Sequence, residues 1–189
     1  MKKILIIGCG GIGSFLCGSL SRLILLNQIN LADLEIAVAD NDTVEWKNIQ
    51  YQDFTSDDVM QSKASVIAKR YGFLPIVQRI TESEQLKGYD LIILAVDNAS
   101  TRKQVYDFCY CNSVEFFDLR AEGRTIAGFT MSGNTKEEML RSLGGSVNEP
   151  NNQGRSCQLE SDLRSNIIQN GNVIIAVIGS QMVDRKSVV

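Results

Sequence analysis

A glycine-rich turn near the start of the chain is the first candidate for a functional site. Gly8, Gly10 and Gly13 form a G-x-G-x-x-G pattern, with Gly11 as an additional glycine, between an apolar run and a helical pattern. Glycine permits a tight turn and lets backbone amides approach a phosphate. The N-terminus of the following helix adds partial positive charge. The spacing predicts a phosphate-binding turn, with a tight turn that binds nothing as the alternative.

Acidic side chains follow two of the later apolar runs. Asp40 ends the second run, where a dinucleotide-binding fold places an acid on a ribose hydroxyl. It follows Gly13 at a longer interval than the NAD pattern has, and a solvated acid at a strand end is the alternative reading. Asp97 ends a later run in the same way. This pattern favours nucleotide binding without defining which nucleotide is bound.

The composition excludes several classes of site and partner. The 189 residues include no histidine, which excludes Ser-His-Asp and Cys-His catalysis and any zinc site with an imidazole ligand. The formal net charge of −3 offers no basic surface for nucleic acid. No apolar run reaches the roughly 18 residues that a membrane span needs. We therefore expect neither a nucleic-acid partner nor a membrane partner.

The five cysteines indicate a reducing compartment. Their number is odd, no C-x-x-C occurs, and the apolar run before Gly8 is too short for the core of a signal peptide. The sequence thus predicts a cytoplasmic protein with reduced thiols and no zinc. Cys9 and Cys17 are expected to be buried packing residues.

Hydrophobic periodicity predicts the strands and helices that carry these residues. Apolar runs predict six strands, over residues 3–7, 34–39, 75–80, 91–96, 115–119 and 125–131. Helices are predicted after the glycine turn, from Ser56–Asp58 through Ala68, from a Ser100 cap through Phe108, over 136–143 and over 172–182. The alternation predicts a Rossmann-like α/β fold, mainly a parallel sheet with helices on both faces, followed by a long crossover loop and a C-terminal helix.

The whole chain is expected to form a single nucleotide-binding domain. Residues 131–162 are rich in Gly, Asn and Ser and predict a mobile loop region within it. The last helix is apolar nearly all round, so it is either fully buried or half of an interface.

Five short motifs, in order, resemble the ThiF/MoeB/HesA superfamily, adenylyltransferases similar to ubiquitin-activating enzymes. Family members carry G-x-G-G-x-G, D-x-D, N-L-x-R-Q, G-K-x-K-A and T-D-N. The matching segments here are the glycine turn, Asp40–Asp42, Asn48–Gln52, Ser62–Ala64 and Asp97–Asn98. The resemblance covers residues 3–102 well and the remainder loosely.

The resemblance implies ATP-dependent activation of a partner's C-terminal carboxylate as an acyl adenylate. It implies that Lys63 reaches the phosphates and that Asp97 holds magnesium. The family pattern further assigns nucleotide binding to Gly8, Gly10, Gly11, Gly13, Asp40, Asp42, Asn48 and Gln52. The implied partner is a small ubiquitin-like or sulfur-carrier-like protein or peptide, and the implied assembly is a homodimer.

Each assignment has a simpler alternative. Lys63 could be a solvated helix lysine, and Asp97 could cap the helix that begins near Ser100. Asn48 and Gln52 could be loop residues with local hydrogen bonds.

The sequence departs from the family at the site itself. Tyr51 occupies the position of a phosphate-contacting arginine, and losing one such cation commonly costs a factor of about a hundred or more. Arg102, Arg120 or Arg124 could substitute. The sequence also begins directly at the first strand, whereas family members often carry an N-terminal helix that delivers an arginine across a dimer interface. The paired C-x-x-C motifs that hold zinc in many members are absent.

Two later segments are further candidates. Cys157 follows Arg155 in the crossover region, where some family members place a reactive cysteine, and a nearby cation would favour the thiolate. An ordinary cysteine is the alternative. Arg120 lies in a stretch predicted to follow the fifth strand, where it could meet a substrate carboxylate or pair with Glu122.

Two other functions remain open from the sequence. One is a nucleotide-binding or scaffold module of the same fold with reduced catalysis, which Tyr51 favours. The other is an NAD-dependent oxidoreductase, which the glycine turn and Asp40 permit, although the chain lacks a histidine proton donor and this reading leaves Lys63 and Asp97 unexplained.

Overall fold

A computed structural model describes residues 1–122, 125–144 and 170–187 of the chain. The strands are β1 (Lys2–Ile7), β2 (Leu34–Ala39), β3 (Leu74–Ile76), β4 (Leu91–Leu94), β5 (Glu115–Glu122) and β6 (Thr125–Thr130). The helices are α1 (Gly11–Leu25), α2 (Lys63–Tyr71), α3 (Ala99–Asn112), α4 (Lys136–Arg141) and α5 (Gly171–Ser187). Short 3-10 turns cover Leu31–Asp33, Trp46–Gln50, Ser56–Asp58 and Ser83–Leu86.

The six strands form one sheet in the order β3-β2-β1-β4-β5-β6. The first five are parallel, and β6 pairs antiparallel to β5. The chain therefore runs outward from β1 to β3 and then crosses back to β4. A sheet of this order has its topological switch point between β1 and β4, where α/β folds bind ligands.

Helices cover both faces of the sheet, as the sequence predicts. Apolar residues of α1, α2 and α5 pack on one face, against alternate residues of the strands such as Ile6 and Val38. Those of α3 and α4 pack on the other face, against Leu5 and Ile92. Burial on both sides explains the nearly continuous apolar runs of β1 and β4. The Rossmann-like fold, its mainly parallel sheet and its C-terminal helix are confirmed.

Several predicted boundaries were wrong. Helix α2 begins at Lys63, capped by the side chain of Ser62, because Met60 adopts a left-handed φ of 67° that separates it from Ser56–Asp58. Asn98, rather than Ser100, caps α3 by accepting a hydrogen bond from the backbone N of Thr101 at 2.8 Å.

Three strand ends also differ from the prediction. Strands β3 and β4 stop at Ile76 and Leu94, while β5 continues to Glu122 because β6 pairs with its whole second half. The described residues contain no helix that is both long and apolar enough to cross a bilayer.

Candidate functional site

The site is a cavity of about 480 Å³ at the carboxyl ends of β1, β2, β3 and β4. Its volume falls within the range of small-molecule pockets, roughly 300–1,000 Å³. It lies at the switch point of the sheet order. The predicted site residues that line it are Gly8, Gly10, Gly11, Asp40, Asp42, Gln52, Lys63 and Asp97. Gly13 and Asn48 are not among the lining residues, and Cys157 lies outside the described residues.

The glycines of the turn differ in why a larger residue would not serve at their positions. Gly8 has a φ of 97°, and a Cβ there would lie 2.6 Å from the carbonyl oxygen of Ala95. A Cβ at Gly13 would collide with the carbonyl oxygen of Gly8, so Gly13 allows α1 to pack against the end of β1. Gly10 faces open space, with Gln52 Nε2 as its nearest neighbour at 4.0 Å. Gly10 is therefore the glycine whose missing side chain leaves room for a ligand.

Unpaired buried amide groups flank the start of α1. A Cβ on Gly11 would collide with the Asn172 amide, which α5 brings against the first turn of α1. Both polar atoms of the Asn172 side chain and Gln52 Oε1 are buried without a hydrogen-bond partner in the described part of the chain. Buried polar groups are normally hydrogen-bonded. These atoms leave hydrogen-bonding capacity beside the glycine turn.

Asp40 ties the end of β2 to the glycine turn. Its Oδ2 accepts a hydrogen bond from the backbone N of Cys9 at 2.7 Å, and its Oδ1 accepts one from the backbone N of Asp42 at 2.8 Å. Burial raises the pKa of the Asp40 carboxyl, although these two hydrogen bonds oppose the shift. Asp40 is therefore a positioned carboxylate at the cavity wall. Its contact with a ribose stays a prediction.

Lys63 is the first residue of α2 and is buried, so the alternative of a solvated helix lysine is wrong. Its Nζ lies 3.2 Å from Asp42 Oδ2. The Lys63 side chain is only 8% exposed, whereas the Asp42 side chain is 61% exposed. The backbone N of Lys63 also donates to the carbonyl oxygen of Asp42 at 3.0 Å. These contacts hold a buried ammonium group at the cavity.

Asn48 has a local structural role. Its Oδ1 accepts a hydrogen bond from the backbone N of Glu45 at 2.8 Å, which caps the 3-10 turn Trp46–Gln50. That turn carries Lys47 into the cavity lining and leads directly to Tyr51 and Gln52, which also line it. Asn48 thus stabilises the segment that lines the cavity without lining the cavity itself.

Asp97 is exposed and lines the cavity directly after β4, beside Asn98 and Thr101. The capping contact of α3 is made by Asn98, so the alternative in which Asp97 caps this helix is wrong. No group of three or more Cys, Asp or Glu side chains in the described residues is arranged to hold a metal ion. A single carboxylate nevertheless fits magnesium, which is commonly bound through one or two carboxylates together with substrate phosphates and waters.

Two candidate replacements for the arginine missing at Tyr51 are engaged elsewhere. Arg102 Nε and Arg120 Nε lie 3.0 and 2.7 Å from the two carboxylate oxygens of Asp118, which is fully buried. Arg102 also donates to the carbonyl oxygen of Val96. Neither arginine lines the cavity, and Arg124 lies outside the described residues.

The contacts of Arg120 correct the expectations for this residue. Arg120 lies within β5, not after it, and donates to the hydroxyl oxygens of Tyr106 and Ser142 at 2.7 and 2.9 Å. Its salt bridge is to Asp118 rather than Glu122. The burial of Asp118 therefore directs Arg120 inward.

Three of the cysteines that the structure describes are buried thiols. Cys9 and Cys17 are fully buried, as expected for packing residues, and burial raises the pKa of both thiols. Burial also raises the pKa of Cys109 to about 12. Cys111 is exposed. A raised pKa disfavours the thiolate, so Cys9, Cys17 and Cys109 are poor nucleophiles.

Among the lining residues that sequence reasoning missed, Lys47, Gln78 and Arg79 carry charged or polar side chains. Gln78 and Arg79 follow β3, and the residues that follow parallel strands gather at one edge of a sheet. That rule would have identified them had β3 not been predicted to continue through Ile80. Lys47 carries no comparable sequence signal, because the turn that presents it is held by the local contacts of Asn48.

Comparison with known proteins identifies the family. The model of the ThiF family matches residues 1–185. The chain belongs to the ThiF family. A relative from Porphyra purpurea, named a probable molybdopterin-synthase adenylyltransferase, is 27% identical over 170 residues, which span 82% of this chain and 41% of that protein. The chain therefore spans less than half of this curated ThiF relative.

Several solved structures have a similar fold. The tRNA N6-threonylcarbamoyladenosine dehydratase TcdA of E. coli superposes with a TM-score of 0.69 at 16% identity, over 99% of this chain and 86% of TcdA. TcdA has also been solved with AMP. E. coli MccB, solved with AMPCPP and MccA, matches with a TM-score of 0.68 at 18% identity, over 98% of this chain and 55% of MccB. At these identities the likeness shows a shared fold alone.

Proposed function

We propose that this ThiF-family chain is an ATP-dependent adenylyltransferase that activates the C-terminal carboxylate of a small protein or peptide. The observation that carries the proposal is the cavity at the switch point. It brings together an open glycine turn at a helix N-terminus, the buried ammonium group of Lys63 and the exposed carboxylate of Asp97. The name of the Porphyra purpurea relative supports the same reaction.

The proposed reaction is a displacement at the α-phosphorus. A carboxylate oxygen of the partner attacks the α-phosphorus of ATP, the bond to the bridging oxygen of the β-phosphate breaks, and pyrophosphate leaves with the electron pair. The product is an acyl adenylate. Negative charge accumulates on the phosphoryl oxygens and on the leaving pyrophosphate, so catalysis requires positive groups placed in advance.

The chain's own groups fit these needs. The backbone around Gly10 and the N-terminus of α1 offer amide donors and partial positive charge. Lys63 supplies an ammonium group whose position is held by Asp42. Asp40 is placed to accept the ribose hydroxyls. When bound, magnesium would neutralise phosphate charge, and Asp97 is the lining carboxylate proposed to hold it.

A nucleotide-binding module with reduced catalysis is the second candidate. Tyr51 lines the cavity where the family pattern has an arginine, and Asp118 engages both Arg102 and Arg120. If this second function is correct, the protein binds ATP but forms neither pyrophosphate nor an acyl adenylate.

Pyrophosphate exchange separates the two candidates. We expect the wild-type protein, supplied with ATP, magnesium and candidate acceptor peptides, to incorporate labelled pyrophosphate into ATP. Replacing Lys63 with Ala should lower the exchange rate by a factor of about 100, because the cation at the phosphates is lost. Replacing Asp97 with Asn should raise the magnesium concentration needed for half-maximal exchange.

Lys69 provides a matched control. It is an exposed lysine near the end of the same helix, so Lys69→Ala should exchange at the wild-type rate. Full exchange by a Lys63→Ala, Asp97→Ala double variant would reject the assignment. If calorimetry shows that ATP binds but no acceptor supports pyrophosphate exchange, the nucleotide-binding module with reduced catalysis is favoured.

The proposed partners are a small ubiquitin-like or sulfur-carrier-like protein or peptide and a second copy of the chain. The fold is shared with MccB, which was solved together with MccA. Exposed apolar side chains on α5 support self-association, as argued below. A cytoplasmic location and a role for Cys157 as a nucleophile remain predictions of the sequence.

A further inference from the structure

The cationic side chains of the cavity wall lie on three different segments. Within the described residues they are Lys47, Lys63 and Arg79. Arg79 follows β3 and is separated from the glycine turn by Asp40, whose carboxylate accepts from the turn and whose backbone N donates to the last residue of β3. Lys63 begins α2. Lys47 lies on the segment that also carries Tyr51, the position at which the family pattern has a phosphate-contacting arginine.

The segment that carries Lys47 lies against the glycine turn. At its end, Gln52 Nε2 lies 4.0 Å from the position that a Cβ on Gly10 would occupy. The backbone N of the next residue, Asp53, donates to Ser14 Oγ in the first turn of α1 at 3.0 Å. Lys47 thus belongs to the wall beside the helix N-terminus, where the proposed function requires the phosphates.

The backbone on both sides of Lys47 is fixed by Asn48, which is buried. Its Oδ1 accepts a hydrogen bond from the backbone N of Glu45 at 2.8 Å, and its carbonyl oxygen accepts one from the backbone N of Gln52 at 2.9 Å. A lysine side chain is a flexible four-carbon stem. Lys47 therefore starts from a fixed backbone position, and its ammonium group can still reach over the cavity.

The ammonium group of Lys47 is available to an anion. It forms an ion pair with Glu45 Oε2 at 2.9 Å, but the two side chains are 64% and 58% exposed. Exposed pairs of this kind contribute little, so a polyphosphate can replace the carboxylate as the partner. The hydrogen bond to Glu45 raises the pKa of the Lys47 ammonium, and Tyr51 and Asp42 raise it further. The group is therefore charged at neutral pH.

We propose that Lys47 provides the second phosphate-binding cation of the cavity, and that it replaces the arginine missing at Tyr51 from a position four residues earlier. This inference rests on the proposed nucleotide function and deepens it, because it assigns a phosphate contact to a residue outside the family motifs. When ATP binds, the ammonium group exchanges Glu45 for phosphate oxygens. A lysine presents a point charge where an arginine has a planar fork, so it neutralises the phosphates without a bidentate contact.

Calorimetric titration with adenosine, ATP and inorganic tripolyphosphate tests the proposal. Lys47→Ala should weaken ATP and tripolyphosphate about tenfold, because one charged hydrogen bond to the phosphates is lost. Adenosine has no phosphate and should bind as it does to the wild type. Lys47→Arg should keep the affinity for all three, since the positive charge remains.

A double variant tests the replacement of the missing arginine. Adding Tyr51→Arg to Lys47→Ala should restore the affinity for ATP and tripolyphosphate, because it returns a cation to the family position. The double variant should also exchange pyrophosphate faster than Lys47→Ala does. If Tyr51→Arg restores neither affinity, the two positions do not serve the same phosphates and the proposal is overturned.

Lys87 is the matched control, because it is an exposed lysine outside the cavity lining whose Nζ lies 2.6 Å from Glu84 Oε2. Lys87→Ala should leave every affinity unchanged, and thermal melting establishes that each variant is folded. Unchanged tripolyphosphate affinity in Lys47→Ala would overturn the proposal. An equal loss of adenosine affinity would show a general distortion of the wall and would also overturn it, as would a wild-type protein that binds neither ATP nor tripolyphosphate.

The two proposals fail in different ways. If the wild type binds ATP and tripolyphosphate through Lys47 but exchanges no pyrophosphate, the adenylyltransferase proposal fails and the phosphate contact stands. If exchange occurs and Lys47→Ala exchanges pyrophosphate and binds tripolyphosphate like the wild type, the phosphate contact fails and the adenylyltransferase stands.

Discussion

Gly13 and Gly10 lie in the same turn, but glycine is needed at the two positions for different physical reasons. Gly13 has no room for a side chain because the carbonyl oxygen of Gly8 occupies the Cβ position. Gly10 has a φ of −81° and open space where a Cβ would lie. Both positions match the same family motif, yet one serves packing and the other leaves room for a ligand.

Alanine substitutions should separate these two reasons. Gly13→Ala should lower the free energy of unfolding by about 1–3 kcal/mol or more, because the backbone must shift to admit the methyl group. Gly10→Ala should leave the stability nearly unchanged and weaken ATP binding, since its methyl group enters the ligand space. Urea denaturation and ATP titration measure the two effects. Equal destabilisation by both variants would contradict this separation.

At the scale of elements, the carboxylate of Asp118 joins the second half of the sheet to its helices. It binds Arg102 of α3, Arg120 of its own strand β5 and the hydroxyl of Tyr106. Arg120 continues to the carbonyl oxygen of Ser142, after α4, at 3.1 Å. Because Arg102 also donates to Val96 in the cavity wall, the network supports the loop that carries Asp97.

Removal of the Asp118 carboxylate should lower the free energy of unfolding substantially. Asp118→Ala leaves two largely buried guanidinium groups without their shared partner, and breaking a buried ion pair costs about 3–5 kcal/mol. The exposed pair Glu137–Arg141 on α4 is the control, since exposed i,i+4 pairs contribute about 0.3–0.5 kcal/mol. Chemical denaturation of Asp118→Ala and Glu137→Ala compares them. A loss below about 1 kcal/mol in Asp118→Ala would mean that the network adds little to stability.

At the scale of the whole molecule, α5 has two apolar faces. One face packs into the core through Ile175, Ala176 and Val183. The other presents side chains that are 37–50% exposed, namely Val173, Ile174, Val177 and Ile178. Contiguous exposed apolar groups are typical of an interaction surface. We expect this face to form the interface of the proposed homodimer.

A charge on this face should prevent association. Sedimentation should show the wild type as a dimer and Ile174→Glu as a monomer, because a carboxylate would be desolvated in the interface. Met60→Glu is the control, as Met60 is an exposed apolar residue that precedes α2 and is not part of α5. A wild-type monomer at working concentration, or a dimer in Ile174→Glu, would exclude this interface.

The fold and most of the predicted site residues at the cavity could be read from the sequence alone. Buried strands leave long apolar runs, and parallel topology brings the residues that follow each strand to one edge, so Gly10, Asp40 and Asp97 could be placed together before any coordinates. The motif order also determined the family, which the match over residues 1–185 confirms.

Which side chains are engaged and which are available became clear only from the three-dimensional contacts. Arg102 and Arg120 are held by a buried carboxylate, whereas Arg79 faces the cavity. A sequence gives the charge of an arginine but not its partner, because that pairing depends on contacts between strands and helices that are distant along the chain. For the same reason, the sequence could not decide whether Lys63 is buried or solvated, and the structure shows that it is buried.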